Sequence, residues 1–319
     1  MQKSARLVAA IVIVIVAVAA FAGIYTLSRP ASASTTATST TGSTELIQVV
    51  AAENFWGSLV SQLGGIHVNV TSIVSNPNTD PHEYESNPAD ARAITNAQLV
   101  IVNGAGYDTW ALDIISAENT PNQRVLNVQE LINQSVTANP HFWYSPYYVN
   151  DTVAAMYKNL VAIDPTDTAY YHQQYASLNA SLWQDYMKTE VEIKQEFGGA
   201  PVASTESIFV YMANATGLNL VSPTGFMEAV AEGNDPSAQD VAAMEQLMMG
   251  GNSTVRVLVY NKQTVTPLTT DIESLAAQDQ IPVIGVTETM QPPNTTFQLW
   301  MSGELNALYN ALNTSAPGK

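Results

Sequence analysis

The chain has 319 residues, of which 28 are acidic and 11 basic, for a formal charge of −17. A nucleic-acid partner is therefore excluded, because a phosphate backbone is held by a basic face. There is no cysteine, which removes disulfides, thiolate metal sites, a cysteine nucleophile and a lipidated cysteine behind a signal sequence.

Lys3 and Arg6 precede an uncharged run from Leu7 to Leu27, which at 1.5 Å per residue spans about 30 Å, the thickness of a bilayer core. Residues 1–29 are expected to be a retained membrane anchor, with a signal segment cleaved at Ala31-Ser-Ala33 as the alternative. The leading basic residues place the amino terminus in the cytoplasm and the remainder on the extracytoplasmic face. Residues 30–45, nearly all Ser, Thr, Ala and Gly, read as a flexible tether. Asn-x-Ser/Thr triplets begin at Asn69, Asn133, Asn150, Asn179, Asn214, Asn252, Asn294 and Asn313. Such triplets also arise by chance in a chain rich in Ser and Thr, but their density is compatible with an outward-facing glycoprotein.

Ile47-Gln-Val-Val-Ala-Ala52 predicts a first buried strand, and the spacing from Phe55 to Leu63 predicts a helix stopped by Gly64-Gly65. The β-branched run Val68–Val74 predicts a strand. Asn78-Thr-Asp-Pro-His-Glu-Tyr-Glu85 then sets His82 behind an Asp-Pro turn, in a stiff non-helical loop beside Asp80, Glu83 and Glu85. A helix follows over 87–98, with Pro88 and Asp90 in its first turn. Leu99-Val-Ile-Val102 is another buried strand, closed by Asn103-Gly-Ala-Gly106, which lacks the third glycine of a dinucleotide fingerprint. Asn139-Pro-His-Phe-Trp-Tyr-Ser-Pro146 repeats the proline–histidine loop, ahead of a helix from Asp151 to Leu160.

Residues 167–197 contain neither Gly nor Pro and predict a helix of about 45 Å. Beyond Gly198-Gly199 the alternation restarts. Strands are expected at 201–204, 255–260 and 281–286, and helices at 208–216, 236–249, 270–277 and 297–312. Strands apolar on both faces, alternating with helices, define an α/β fold with parallel-type sheets. Two α/β lobes, residues 46–166 and 199–319, are thus expected to be joined by one long spine helix over 167–198.

Of the four histidines, His67 and His172 read as ordinary surface residues, whereas His82 and His141 occupy comparable loops behind strands. Such loops are where open α/β sheets place ligands. A transition-metal site without cysteine needs imidazole and carboxylate from converging loops. The carboxylates at strand ends in the second half are Glu206 and Glu288. Each also has an ordinary reading as an acidic residue in the first turn of a helix, with Ser204 or Thr205 as a cap.

Asp80-Pro-His-Glu-Tyr-Glu85, followed by Asp90-Ala-Arg-Ala-Ile-Thr-Asn-Ala-Gln-Leu-Val100 and Asn103-Gly-Ala-Gly-Tyr-Asp-Thr-Trp110, resembles the solute-binding proteins of zinc/manganese ABC importers. This is the TroA-like or zinc-uptake family, the cluster with a rigid helical spine. Asn139-Pro-His-Phe-Trp-Tyr-Ser-Pro146 is similar to its second ligand motif, with Ser145 where Asp is common. Thr205-Glu-Ser-Ile-Phe-Val-Tyr211 and Thr287-Glu-Thr289 match its third and fourth. The resemblance covers residues 46 to 313. It implies a metal in the cleft between the lobes, held by His82, His141, Glu206 and Glu288. It also implies delivery of Mn(II) or Zn(II) to an ABC permease with its ATPase. In that family a Glu in the third position leans towards manganese, and the long His/Asp-rich loop of many zinc-specific members is absent.

The competing reading is a cell-surface metallohydrolase, which needs an open coordination position and a nearby base. Glu83 is the only obvious candidate base, and there is no His-Glu-x-x-His pattern. An adhesin-type surface protein is a third reading, for which no residue speaks separately. Because binding needs neutral imidazoles, affinity is expected to fall as the medium acidifies through the range of His82 and His141.

Overall fold

The computed structural model describes residues 45–78, 81–251 and 254–315. The expected anchor, the tether up to residue 44, and Asp80 lie outside the described residues. Among the described residues no helix is long and apolar enough to cross a membrane.

Strand β1 (Ile47–Glu53) is buried at every position but Gln48, as a central strand covered on both faces must be. It runs directly into α1 (Asn54–Gly64), which buries Phe55, Trp56, Leu59, Val60 and Leu63 along one stripe. Strands β2 (Val68–Val74), β3 (Leu99–Val102) and β4 (Arg124–Asn127) join β1 in a parallel sheet of order β2-β1-β3-β4. Helices α2 (Pro88–Asn96), α3 (Thr109–Glu118), the short α4 (Val128–Leu131) and α5 (Pro146–Ile163) complete the first lobe.

The second lobe repeats the plan. Strands β5 (Pro201–Ser204), β6 (Asn219–Leu220), β7 (Leu258–Asn261) and β8 (Val283–Val286) form a parallel sheet of order β6-β5-β7-β8. Around it lie α8 (Val210–Ala215), α9 (Thr224–Ala231), α10 (Ala238–Met249), α11 (Pro267–Gln278) and α12 (Phe297–Thr314).

Between the sheets in sequence run α6 (Thr168–Leu182), a π-helical turn at Trp183–Met187 and α7 (Lys188–Phe197), one unbroken helical path. Leu178, Leu182 and Tyr186 on this path share a buried cluster with Leu59 and Met156 of the first lobe and Phe297 and Met301 of α12. Each such side chain contributes about 1.5–3 kcal/mol by leaving water, so one apolar core ties both lobes to the spine.

Several elements differ from expectation. The His82 stretch contains a 3-10 turn, Pro81–Glu83, in place of the expected non-helical loop, and His67 ends another ahead of β2. Helix α5 starts at Pro146 instead of Asp151, because Ser145 caps it by accepting from the Tyr148 N–H and proline suits the first helical position. β7 and β8 start later than the apolar runs do, at Leu258 and Val283. Helices α3 and α9 had no expectation. α3 carries Thr109, Ile114 and Ile115, whose branching lowers helix propensity and hides the signal.

Candidate metal centre

The carboxyl ends of both sheets face one cleft of about 1050 Å³, lined among others by His82, Tyr107, Asn139, Ser207, Asn214 and Leu220. His82 comes from the loop after β2 and His141 from the segment after β4. Glu206 follows β5 and Glu288 follows β8. The structure brings these four together: one donor atom from each lies within 4.8 Å of all the others. His141, Glu206 and Glu288 are fully buried, while the His82 side chain keeps 24% of its surface exposed at the cleft.

His82 Nε2 lies 3.4 Å from Glu288 Oε2, and His141 Nε2 lies 3.4 Å from Glu206 Oε1 and 4.0 Å from Glu288 Oε2. His141 Nδ1 donates to Asn139 Oδ1 at 2.7 Å, which leaves Nε2 as the bare lone pair. Burial, and then the charge of His82, holds the His141 imidazolium well below its usual range, so the ring is neutral. Burial and the neighbouring Glu288 push Glu206 up to about 7, against the donors Asn261 and Thr264. His141 Nε2 and Glu206 Oε1 are both buried and have no hydrogen-bond partner. Two acceptors facing each other in this way are satisfied by a shared cation.

The surrounding polar groups hold these side chains in place. Tyr107 Oη donates to Glu288 Oε2 at 2.7 Å, and its ring packs edge-on to His82 with centroids 4.9 Å apart. Tyr107 reaches the site from a loop with Gly104, Ala105 and Gly106 all at positive φ. A Cβ on Gly104 would lie 2.5 Å from Asn127 Oδ1, so Gly104 serves a tight approach of the loop to Asn127. Asn261 Nδ2 donates to Glu206 Oε2 at 2.5 Å and to Glu288 Oε1 at 2.6 Å. Thr264 Oγ1 donates to Glu206 Oε2 at 2.9 Å. Gln263 Oε1 accepts from the Glu288 and Thr289 N–H groups, both at 2.9 Å.

Sequence reasoning passed over Tyr107, Asn139, Asn261, Gln263 and Thr264 as functional residues. The signal that could have found the last three is their place at the carboxyl end of β7, beside the point where the strand order reverses. Ser145 caps α5. His67 is not an ordinary surface residue: its Nδ1 pairs with Asp167 Oδ2 at 3.1 Å, at the start of α6. His172 is exposed, as expected. Glu83 is also exposed and lines the cleft.

Two parallel α/β lobes on a helical spine, with histidines from one and carboxylates from the other converging in the cleft, define the architecture of a two-lobed binding protein. The family model described as zinc-uptake complex component A, periplasmic, matches residues 49–311, and the chain belongs to that family. It is 28% identical over 194 residues to the manganese-binding lipoprotein MntA of Halalkalibacterium halodurans, covering 58% of this chain and 62% of that protein. To the manganese ABC transporter substrate-binding lipoprotein PsaA of Streptococcus pneumoniae it is 26% identical over 201 residues, covering 57% and 63%. The matched stretch is thus less than two thirds of these relatives' length. The periplasmic zinc-binding protein TroA from Treponema pallidum superposes with a TM-score of 0.68 at 18% identity, over 83% of this chain and 98% of that one. A crystal structure of ZnuA superposes with a TM-score of 0.66 at 21% identity, over 85% and 98%. At these identities the structural matches carry the fold alone.

Proposed function

We propose that the chain is an extracytoplasmic solute-binding protein that captures Mn(II) or Zn(II) through His82, His141, Glu206 and Glu288 and hands it to an ABC permease with its ATPase. The observation that carries this reading is the bare pair His141 Nε2 and Glu206 Oε1, buried and 3.4 Å apart. A tetrahedral ion with arms of about 2.1 Å has donor–donor edges of about 3.4 Å. The separations of 3.4, 3.4 and 4.0 Å among the four side chains match that scale. The relatives' names speak for manganese and zinc transport. Four protein donors favour capture over catalysis, since hydrolysis needs an open position for water.

We further propose that residues 46–166 and 199–319 act as the two metal-binding lobes about the spine of 167–198, and that residues 1–29 attach the protein to the membrane. The relatives are named lipoproteins, but these 319 residues hold no cysteine to lipidate, so the apolar run Leu7–Leu27 takes that role. The Asn-x-Ser/Thr triplets would then face outward as glycan acceptors.

Purified full-length chain, stripped with chelator and titrated separately with Mn(II) and Zn(II), should bind one ion. His82→Ala and Glu206→Ala should each weaken binding by more than ~100-fold, beyond the effect of removing a residue that only orients a ligand. Wild-type protein that binds neither ion, or His82→Ala protein that binds normally, would remove the assignment.

A further inference from the structure

Asn261 is buried at the end of β7 and touches both carboxylates of the site. Its amide orientation follows from its partners. Oδ1 accepts from the Gln263 N–H at 2.9 Å, which turns Nδ2 and its two hydrogens towards Glu206 and Glu288. Each hydrogen takes one carboxylate oxygen: Glu206 Oε2 at 2.5 Å and Glu288 Oε1 at 2.6 Å. These are short, charge-assisted bonds. Glu206 Oε2 is tied a second time by Thr264 Oγ1. What faces the histidines is Glu206 Oε1, without a hydrogen bond, and Glu288 Oε2, which accepts from Tyr107 Oη at 2.7 Å and lies 3.4 Å from His82 Nε2.

We propose that Asn261 sets the metal preference of this protein: it turns one oxygen of each carboxylate towards its own amide, so that each presents the other oxygen to the cargo, which meets two nitrogens and two oxygens. Four such donors suit Zn(II), which is content with tetrahedral coordination. Mn(II) prefers a larger, oxygen-rich shell, which carboxylates supply by binding through both oxygens. With Asn261 in place that second oxygen is turned away from the histidines on either side chain. The inference rests on the metal-capture reading above and deepens it: it assigns zinc to a chain whose named curated relatives bind manganese. Asn261 does not itself touch the ion. It is a positioning residue that acts through Glu206 and Glu288.

The test uses the full chain and three ions. Wild-type protein loaded with Co(II) should show the intense visible absorption of four-coordinate cobalt, and competition should rank Zn(II) above Mn(II). Asn261→Leu removes the amide donor from Glu206 Oε2 and Glu288 Oε1 and should lower Zn(II) affinity by about 10–100-fold. Mn(II) affinity should hold or rise, and the cobalt band should weaken. Thr264→Val, which loosens Glu206 alone, should move the zinc-to-manganese ratio the same way by a smaller factor. A six-coordinate cobalt spectrum in the wild type overturns the proposal. So does an equal loss of both ions in Asn261→Leu, or an unchanged ratio in Thr264→Val. If Asn261→Leu fails to fold, the wild-type spectrum and Thr264→Val decide the matter. Wild-type protein that binds no ion at all, or His141→Ala protein that binds normally, instead overturns the site assignment, and the role of Asn261 falls with it.

Discussion

In the first lobe the crevice between the carboxyl ends of β1 and β3 is filled by Glu53 and Asp108. In the second, the matching crevice between β5 and β7 holds Glu206, Asn261 and Thr264. Both are switch points of the same parallel order, where open α/β sheets place ligands, and both bury acids. In the first lobe the acids answer one another. Burial and the nearby Asp108 push Glu53 well up, so Glu53 keeps its proton and hydrogen-bonds to Asp108. Asp108 in turn accepts from the backbone N–H groups of Asn103 and Gly104 at 2.5 and 2.8 Å. The result is a braced loop that delivers Tyr107 to Glu288. In the second lobe, Asn261 and Thr264 tie one oxygen of Glu206, and the other faces His141 of the opposite lobe. A buried acid at a switch point is therefore not in itself a site. What distinguishes Glu206 is an imidazole lone pair opposite it that has no proton to share.

The largest expected effect is on the first crevice. Asp108→Ala leaves two buried N–H groups without an acceptor and should cost about 3 kcal/mol, read from urea unfolding at pH 7. A loss below about 0.5 kcal/mol would break the description of that crevice as a brace.

Next is the pH dependence of the second crevice. Glu206, raised from 4.5 to about 7, must release its proton to take a cation. Affinity should therefore fall about tenfold per pH unit below 7, roughly 100-fold by pH 5. The part of the acid sensitivity expected of His141 passes to Glu206, because His141 is already held neutral. The stability sign is opposite. A raised folded-state value gives the metal-free protein a contribution fully present below about 4.5 and lost as pH rises through about 7. Titration in buffered Zn(II) at pH 5, 6 and 7 measures the slope, and a flat result would contradict the second half of the comparison.

The smallest effect sharpens the first half. Glu53 is raised well above 4.5, so wild-type stability from this group declines as pH rises above 4.5. Glu53→Gln keeps a neutral donor and should lack that decline. The variant should be more stable than wild type at pH 8 and equal to it at pH 4. Melting curves at the two pH values check it, and a pH-independent difference would mean that Glu53 is ionised in the folded protein.

The sequence was most legible where a signal is local. The apolar run at Ile47, the glycine- and proline-free path through the spine and the two proline–histidine loops depend on neighbours within a few residues. Those neighbours are enough to set strand, helix or turn. Glu206 and Glu288 stood out because each ends a strand, and in the structure they lie with His82 and His141 in one cluster. Helix α3 escaped because its β-branched residues blur the helical period. The late starts of β7 and β8 escaped because a strand's bounds are set by its partner across the sheet, β5 for β7 and β7 for β8, and not by its own composition. Only the tertiary structure decided the rest. That Asn261 bridges two carboxylates 55 and 27 residues away, or that Tyr107 reaches Glu288 across 181 residues, depends on strand register and on how the lobes meet. An asparagine in a strand end carries no mark of its partner. Local composition thus determined the elements and marked candidate donors, the resemblance to a family joined them into one set, and the long-range packing determined which oxygen of each carboxylate faces the histidines.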